Sequence, residues 1–197
     1  IEVEITEPDA VVISSSNIST ISCPGGNDGS ITIDISGGFS PYDINWSSIN
    51  GFNSNSEDID GLLEGEYQLT VTDSLNCAYE FSFNVPEEPG IDVVETHEDV
   101  SCFGENDGSI DIVVSGGVPP FVFQWSNGEM VPNIDGLGPG NYNLTITDSN
   151  FCVENIEVLI QEPDELVFSV NTFDVLSCFG DPTGSAYLTI NGGTPPY

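Results

Sequence analysis

Residues 101–121 read SCFGENDGSIDIVVSGGVPPF, and this stretch occurs three times in the chain. Residues 22–42 read SCPGGNDGSITIDISGGFSPY, and residues 177–197 read SCFGDPTGSAYLTINGGTPPY. Each copy holds a cysteine, a tight turn ending in Gly, an alternating apolar strand and a Gly-Gly-x-x-Pro-aromatic corner. The cysteines recur at Cys23, Cys102 and Cys178, in steps of 79 and 76 residues. Self-similarity at a fixed period means an array of like units, each burying one core.

Working outward, the strand after each turn alternates. Ile31, Ile33 and Ile35 point one way and Thr32 and Asp34 the other; Ile110, Ile112 and Val114 repeat this, as do Ala186, Leu188 and Ile190. Such alternation marks a strand with one face in a core and one in water. Before it, Gly26-Asn27-Asp28-Gly29, Glu105-Asn106-Asp107-Gly108 and Asp181-Pro182-Thr183-Gly184 suit a type I turn closed by a left-handed Gly. After the corner, Tyr42, Ile44 and Trp46 match Phe121, Phe123 and Trp125 as inward positions. From Trp46 to Leu62 is 16 residues, but from Trp125 to Leu137 only 12, a length difference that marks a surface loop. Gly65-Glu66-Tyr67 and Gly140-Asn141-Tyr142 then open a strand in the manner of the tyrosine corner of immunoglobulin and fibronectin type III domains. Thr72-Asp73-Ser74 and Thr147-Asp148-Ser149 end it. A turn carries Cys77 or Cys152, a last strand follows, and Pro86-Glu87-Glu88-Pro89 and Glu162-Pro163-Asp164 are the joints.

Six or seven short strands in about 75–80 residues, with no helical periodicity, predict all-β, tandem immunoglobulin-like or fibronectin III-like β-sandwich repeats. The expected division is 1–8 (last strand of a preceding repeat), 9–88 and 89–162 (complete repeats) and 163–197 (the first part of a further one). The chain is thus expected to be a window from a longer array.

Composition removes several functions. There are 33 Asp and Glu, no Lys or Arg and one His, for a net charge of −33, where about 20 basic residues would be usual. Nucleic-acid binding needs Lys or Arg to neutralise phosphate; a Walker site and Schiff-base chemistry need Lys. With 38% hydrophobic and 10% aromatic residues, the chain is a folded protein with an acidic skin rather than a disordered one. No apolar run reaches membrane-spanning length, so no direct membrane insertion is expected.

The order Cys-x-Gly-x-x-x-Gly-Ser, Gly-Gly-x-x-Pro-aromatic, Trp, Gly-x-Tyr-x-Leu-Thr-x-Thr-Asp, Cys, Glu-Pro resembles the SprB-type repeat. The Gly-Gly-x-x-Pro-Tyr to Trp portion is also similar to PKD domains, but Trp125-Ser126-Asn127-Gly128 departs from their Phe-Gly-Asp-Gly continuation. The SprB-type resemblance implies a very large secreted surface adhesin of gliding Bacteroidota, exported by the type IX secretion system. Its implied partners are neighbouring repeats, surface polysaccharide and the secretion and motility machinery, outside the cell at the bacterial surface.

Each complete repeat has two cysteines, Cys23 and Cys77 or Cys102 and Cys152, and in a secreted domain these read as structural disulfides. Cys178 would find its partner beyond Tyr197. If one strand lies between the Trp strand and the Tyr strand, both cysteine loops share an end of the sandwich and pair within the repeat. If two intervene, the loops lie at opposite ends and Cys23 could meet Cys152 of the next repeat. Pairing within the repeat is favoured, since it needs no docking angle. Hard carboxylate oxygens crowd the joints at Glu7, Asp9, Glu87, Glu88, Asp92, Glu162, Asp164 and Glu165, where Ca2+ could bind or the acids could simply be solvated. Asp28 and Asp107 read as turn residues, because Thr183 replaces them in the third copy. Trp46, Trp125, Tyr67 and Tyr142 read as core aromatics, and His97 as an exposed residue without a partner. Ser74, in Asp73-Ser74-Leu75, resembles the O-glycan acceptor triplet of Bacteroidota. No catalytic constellation recurs between repeats. The expectation is a non-catalytic stalk segment of an adhesin filament; the rival readings are calcium-dependent glycan-binding repeats and accessory domains of a secreted enzyme.

Overall fold

The computed structural model describes residues 9–173 and 184–197. All regular elements among them are strands. The first repeat runs β1 (Val12–Ser19), β2 (Gly29–Ser36), β3 (Asp43–Ser48), β4 (Asn53–Ser54), β5 (Ile59–Leu62), β6 (Gly65–Thr72) and β7 (Ala78–Val85). It forms one sheet in the order β1-β2-β5 and a second in the order β4-β3-β6-β7, all antiparallel. This is the A-B-E and C′-C-F-G arrangement of an immunoglobulin-like sandwich, with two sheets over one core. Alternation fills the space between them: Ile31, Ile33, Trp46, Leu69, Val71 and Val85 are buried, with Tyr42, Ile44 and Phe83 packed against them.

The second repeat has β8 (Ile91–Glu98), β9 (Gly108–Gly116), β10 (Val122–Trp125), β11 (Ile134–Leu137), β12 (Gly140–Thr147) and β13 (Val153–Ile160). Its sheets are β8-β9-β11 and β10-β12-β13. Ile110, Ile112, Trp125, Leu144, Ile146 and Ile160 are its buried centre. The third copy contributes β14 (Val167–Phe173) and β15 (Ser185–Asn191), paired antiparallel.

In the first repeat the loop between the Trp strand and the Tyr strand holds two strands, β4 and β5; in the second it holds one, β11. β4 pairs with β3 while β5 crosses to pair with β2. β5 and β11 escape a period-two reading because Gly61 and Gly136 are left-handed (φ 67° in both), so that Ile59 and Leu62, or Ile134 and Leu137, three residues apart, are both buried.

The turn chemistry also differs from expectation. Gly29 and Gly108 are not left-handed; the left-handed glycines are Gly25 and Gly104 (φ 72° and 80°). Cys23-Pro24-Gly25-Gly26 is closed by the Gly26 N–H on the Cys23 carbonyl at 2.9 Å, with Pro second and a left-handed Gly third, as a type II turn requires. Gly29 is instead set by close approach. A Cβ there would lie 2.8 Å from Val85 and 2.9 Å from the Leu62 carbonyl oxygen.

The chain forms two compact units whose edges do not follow the repeat boundaries. Of the described residues, the first gathers 9–91 with Gly116–Pro120 and Asp148–Cys152; the second gathers Asp92–Ser115, Phe121–Thr147, 153–173 and 184–197. Two turns of the second repeat therefore belong to the first unit.

Candidate functional site

Of those two turns, Gly116–Pro120 is held by the Gly117 N–H on the Pro89 (3.1 Å) and Gly90 (3.0 Å) carbonyls, and Asp148–Cys152 is held covalently. Cys23 and Cys152 form a disulfide with their Cα atoms 5.5 Å apart and a sequence separation of 129. The expected pairs within a repeat, Cys23 with Cys77 and Cys102 with Cys152, are not formed; Cys77 and Cys102 are free and exposed. Strand direction explains the correction: β3 and β5 run the same way, as do β10 and β11, which sets the two cysteines of a repeat at opposite ends of its sandwich. Cys23 precedes β2 at the end of the sandwich where Gly65 faces Val85, and Ile21 there donates to the Pro86 carbonyl at 2.9 Å. Cys77 lies at the other end, beyond the Thr72–Ala78 pair, where Ser74 N–H meets the Phe39 carbonyl at 2.9 Å. An eight-residue strand separates the two. That is roughly 25 Å, several times the Cα separation a disulfide spans.

The half-site around Cys152 is built by Asp148. This carboxylate, only 4% exposed, accepts N–H groups from Val118 (3.0 Å), Asn150 (2.9 Å) and Cys152 (2.9 Å). Burial pushes the Asp148 carboxyl up, but the three N–H donors together outweigh it and hold the carboxyl below its ordinary 3.8. Ser149 bonds the Val118 carbonyl through its N–H at 2.9 Å and its hydroxyl at 3.0 Å. The Asn150 side-chain amide donates to the Ser22 carbonyl at 3.3 Å. Phe151 is forced to a left-handed φ of 66°.

The half-site around Cys23 is built by three side chains. Ser22 N–H and hydroxyl both donate to the Asp28 carboxylate, which the hydroxyl above all, then the N–H, holds below its ordinary value. Glu87 accepts the Gly25 N–H at 2.6 Å. Pro24 packs where a Gly90 side chain would stand, 2.9 Å from its Cβ position.

Both halves recur around the free thiols. Asp73 accepts the N–H groups of Leu75 and Cys77, each at 2.9 Å, and Asn76 takes the left-handed position of Phe151 (φ 64°). Ser101 bonds Asp107 through its N–H at 2.9 Å and its hydroxyl at 2.6 Å, holding that carboxyl down in the same way. Glu162 accepts the Gly104 N–H at 2.8 Å.

Of the joint acids, Glu87 and Glu162 thus cap the cysteine turns. Glu7 lies outside the described residues, as does Cys178. Asp9 offers its carbonyl to Gly38 N–H at 2.8 Å and Asp164 its own to Gly193 N–H at 2.7 Å. Glu88 N–H donates to the Ile21 carbonyl at 3.0 Å, while Asp92 and Glu165 are exposed at the starts of their repeats. Among the described residues, no three acidic, His or Cys side chains converge on one point as metal ligands. Trp46 and Trp125 are buried and donate their indole N–H to Ser56 (3.0 Å) and Val131 (2.9 Å) carbonyls. Tyr67 and Tyr142 donate their hydroxyls four residues upstream, to Leu63 (3.0 Å) and Gly138 (3.1 Å) carbonyls, and burial pushes the Tyr67 hydroxyl up. Ser74 is exposed beside Cys77, and His97 contacts Glu95 at 2.7 Å on an exposed stretch of β8. The capping roles of Asp73, Asp148, Glu87 and Glu162 were missed by sequence reasoning. Their signal was there: Asp stands four residues before Cys77 and Cys152, and a Glu stands in both joints.

A family model described as the SprB repeat matches residues 15–51, 94–130 and 171–197, just over half of the chain. No curated protein matches. Among solved structures, the chain is similar to the N-terminal eight Ig domains of Down Syndrome Cell Adhesion Molecule isoform 1.30.30 (11% identity, TM-score 0.42, covering 90% of this chain and 28% of that one). It is also similar to the N-terminal four Ig domains of Dscam1 isoform 9.44 (10% identity, TM-score 0.32, 81% and 47%). A third is Dpr11 IG1 bound to DIP-gamma IG+IG2 (12% identity, TM-score 0.36, 78% and 98%). The chain thus spans less than half the length of the first two.

Proposed function

The chain belongs to the SprB repeat family, and on that premise we propose that it is a non-catalytic stalk segment of a large secreted cell-surface adhesin filament, exported by the type IX system of a gliding bacterium. One observation carries this reading: the covalent link from Cys23 in one repeat to Cys152 in the next. A domain that only folds needs its staple inside its own sandwich. A staple that skips to the following repeat adds nothing to a single repeat's core but lets tension pass along the array without drawing on strand pairing. A disulfide also belongs to an oxidising compartment, which supports a place outside the cytoplasm. The charge of −33, unrelieved by any Lys or Arg, keeps neighbouring filaments apart.

Substitution inside the native protein tests this. The segment is exchanged for the same number of unrelated, equally long sandwich repeats, and surface adhesion and gliding are measured with calcium and with chelator. A stalk keeps both activities. Loss of adhesion despite normal display of the filament would overturn the reading and favour glycan recognition by the repeats themselves, and a chelator-sensitive loss in the unaltered protein would assign calcium to it.

A further inference from the structure

The geometry points to a second inter-repeat disulfide, in which Cys102 bonds the cysteine of an Asp-Ser-x-x-Cys turn in a third repeat; we propose that the bond recurs from each repeat to the next. This rests on family membership and on the Cys23–Cys152 bond, and stands whether or not the array is adhesive. Two observations support it. First, both halves of the bond exist unpaired and already shaped. The Cys102 turn copies the Cys23 turn, with a left-handed Gly104, Ser101 on Asp107 and Glu162 on Gly104 N–H. The Cys77 turn copies the Cys152 turn, with Asp73 accepting Leu75 and Cys77 N–H groups. Both thiols are exposed.

Second, Cys102 opens into a cleft of about 470 Å³ whose walls include Ser101, Phe103, Gly193 and Thr194. In sequence register these are the counterparts of Ser22, Pro24, Gly117 and Val118. Ser22 and Val118 are the residues that hold the Asp148–Cys152 turn through their carbonyls and N–H. The cleft is therefore the Cys23 half-site with its turn missing.

The bond forms between two thiols. They lose two protons and two electrons to an oxidant of the protein-disulfide class, whose own disulfide is reduced to a dithiol through a mixed disulfide.

The test completes the third repeat with the chain's own residues: the full chain is extended past Tyr197 by a copy of residues 43–88, oxidised, and digested without reduction. Chymotrypsin is used, because trypsin has no site in a chain without Lys or Arg. The expected peptide joins Cys102 to the copied Cys77, beside the Cys23–Cys152 peptide, while the original Cys77 stays open to alkylation. Cys102→Ser exposes the copied thiol to alkylation, and Cys178→Ser leaves it protected. A copied Cys77 joined to Cys178 would overturn the proposal. As a second measurement independent of the extension, the protein secreted by its own cells is mapped the same way; Cys102 found as a free thiol there overturns the proposal as well.

Discussion

Asp148 shows how much of the Cys152 turn depends on one ionised group. It sits almost out of water yet titrates below 3.8, because three N–H groups point at it. A carboxyl depressed in the folded chain stabilises that chain wherever it is ionised. Its contribution is complete above about pH 4 and is lost as pH falls through the folded value. Asp28 and Asp107 act in the same direction. Urea unfolding of Asp148→Asn is expected to show a clear loss of stability at pH 7 that narrows at pH 3; a loss of equal size at both pH values would mean that the charge is irrelevant. Three residues on, Phe151 holds a left-handed backbone at 83% exposure, a conformation costing an L-residue about 1–2 kcal/mol. Asn, which the first repeat has at this place, tolerates it better. Phe151→Asn should therefore raise stability by about 1 kcal/mol, read as a higher urea midpoint at unchanged slope.

At the scale of elements, what was legible followed periodicity. Ile31, Ile33 and Ile35 announce β2, Tyr67, Leu69 and Val71 announce β6, and from such strands the sandwich follows. The cysteine partners were not legible, because they depend on the chain retracing the sandwich after Trp46 and Trp125, so that β5 runs the same way as β3 and β11 the same way as β10; in the first repeat β4 and β5 make that path. Those strands are a two-residue bridge at Asn53–Ser54 and a four-residue strand bent by left-handed Gly61; neither alternates, and without them the end of the sandwich that holds Cys77 is undetermined. The acidic caps were hidden for another reason. In a chain with 33 acids, nothing in composition separates Asp148 or Glu87 from solvated neighbours; only their repeated placing beside the cysteines and joints, and the backbone they meet, do. Gly29 makes a related point about strand ends. It is a glycine because β2 runs against Val85 and the Leu62 carbonyl, not because of its φ. Gly29→Ala should cost about 1–3 kcal/mol by overpacking, with Trp46 fluorescence reporting the unfolding. A neutral result would mean that β2 shifts freely, against the tight packing of Ile21 and Val85 beneath it.

For the whole molecule, charge and covalent topology act on different quantities. Thirty-three like charges with no counter-charge of their own repel within each sandwich, so raising salt from a few millimolar to about 0.15 M, where screening acts within about 8 Å, should raise the melting temperature. The disulfide acts on the unfolded chain: closing 129 residues is worth about 5 kcal/mol in the chain-entropy model. It also decides what a pulled molecule can release. With force applied at the ends of the oxidised chain, residues between Cys23 and Cys152 cannot lengthen even after their strands part, because the bond bridges them. Reduction returns that length, roughly 430–460 Å at full extension. Single-molecule pulling should therefore show only short releases from the flanking segments before reductant, and the long release, in steps belonging to the two cores, after it. Cys23→Ser should behave as the reduced protein without reductant. If the oxidised chain released the full length, the bond between repeats would not carry the load, and the stalk reading would lose the observation it stands on.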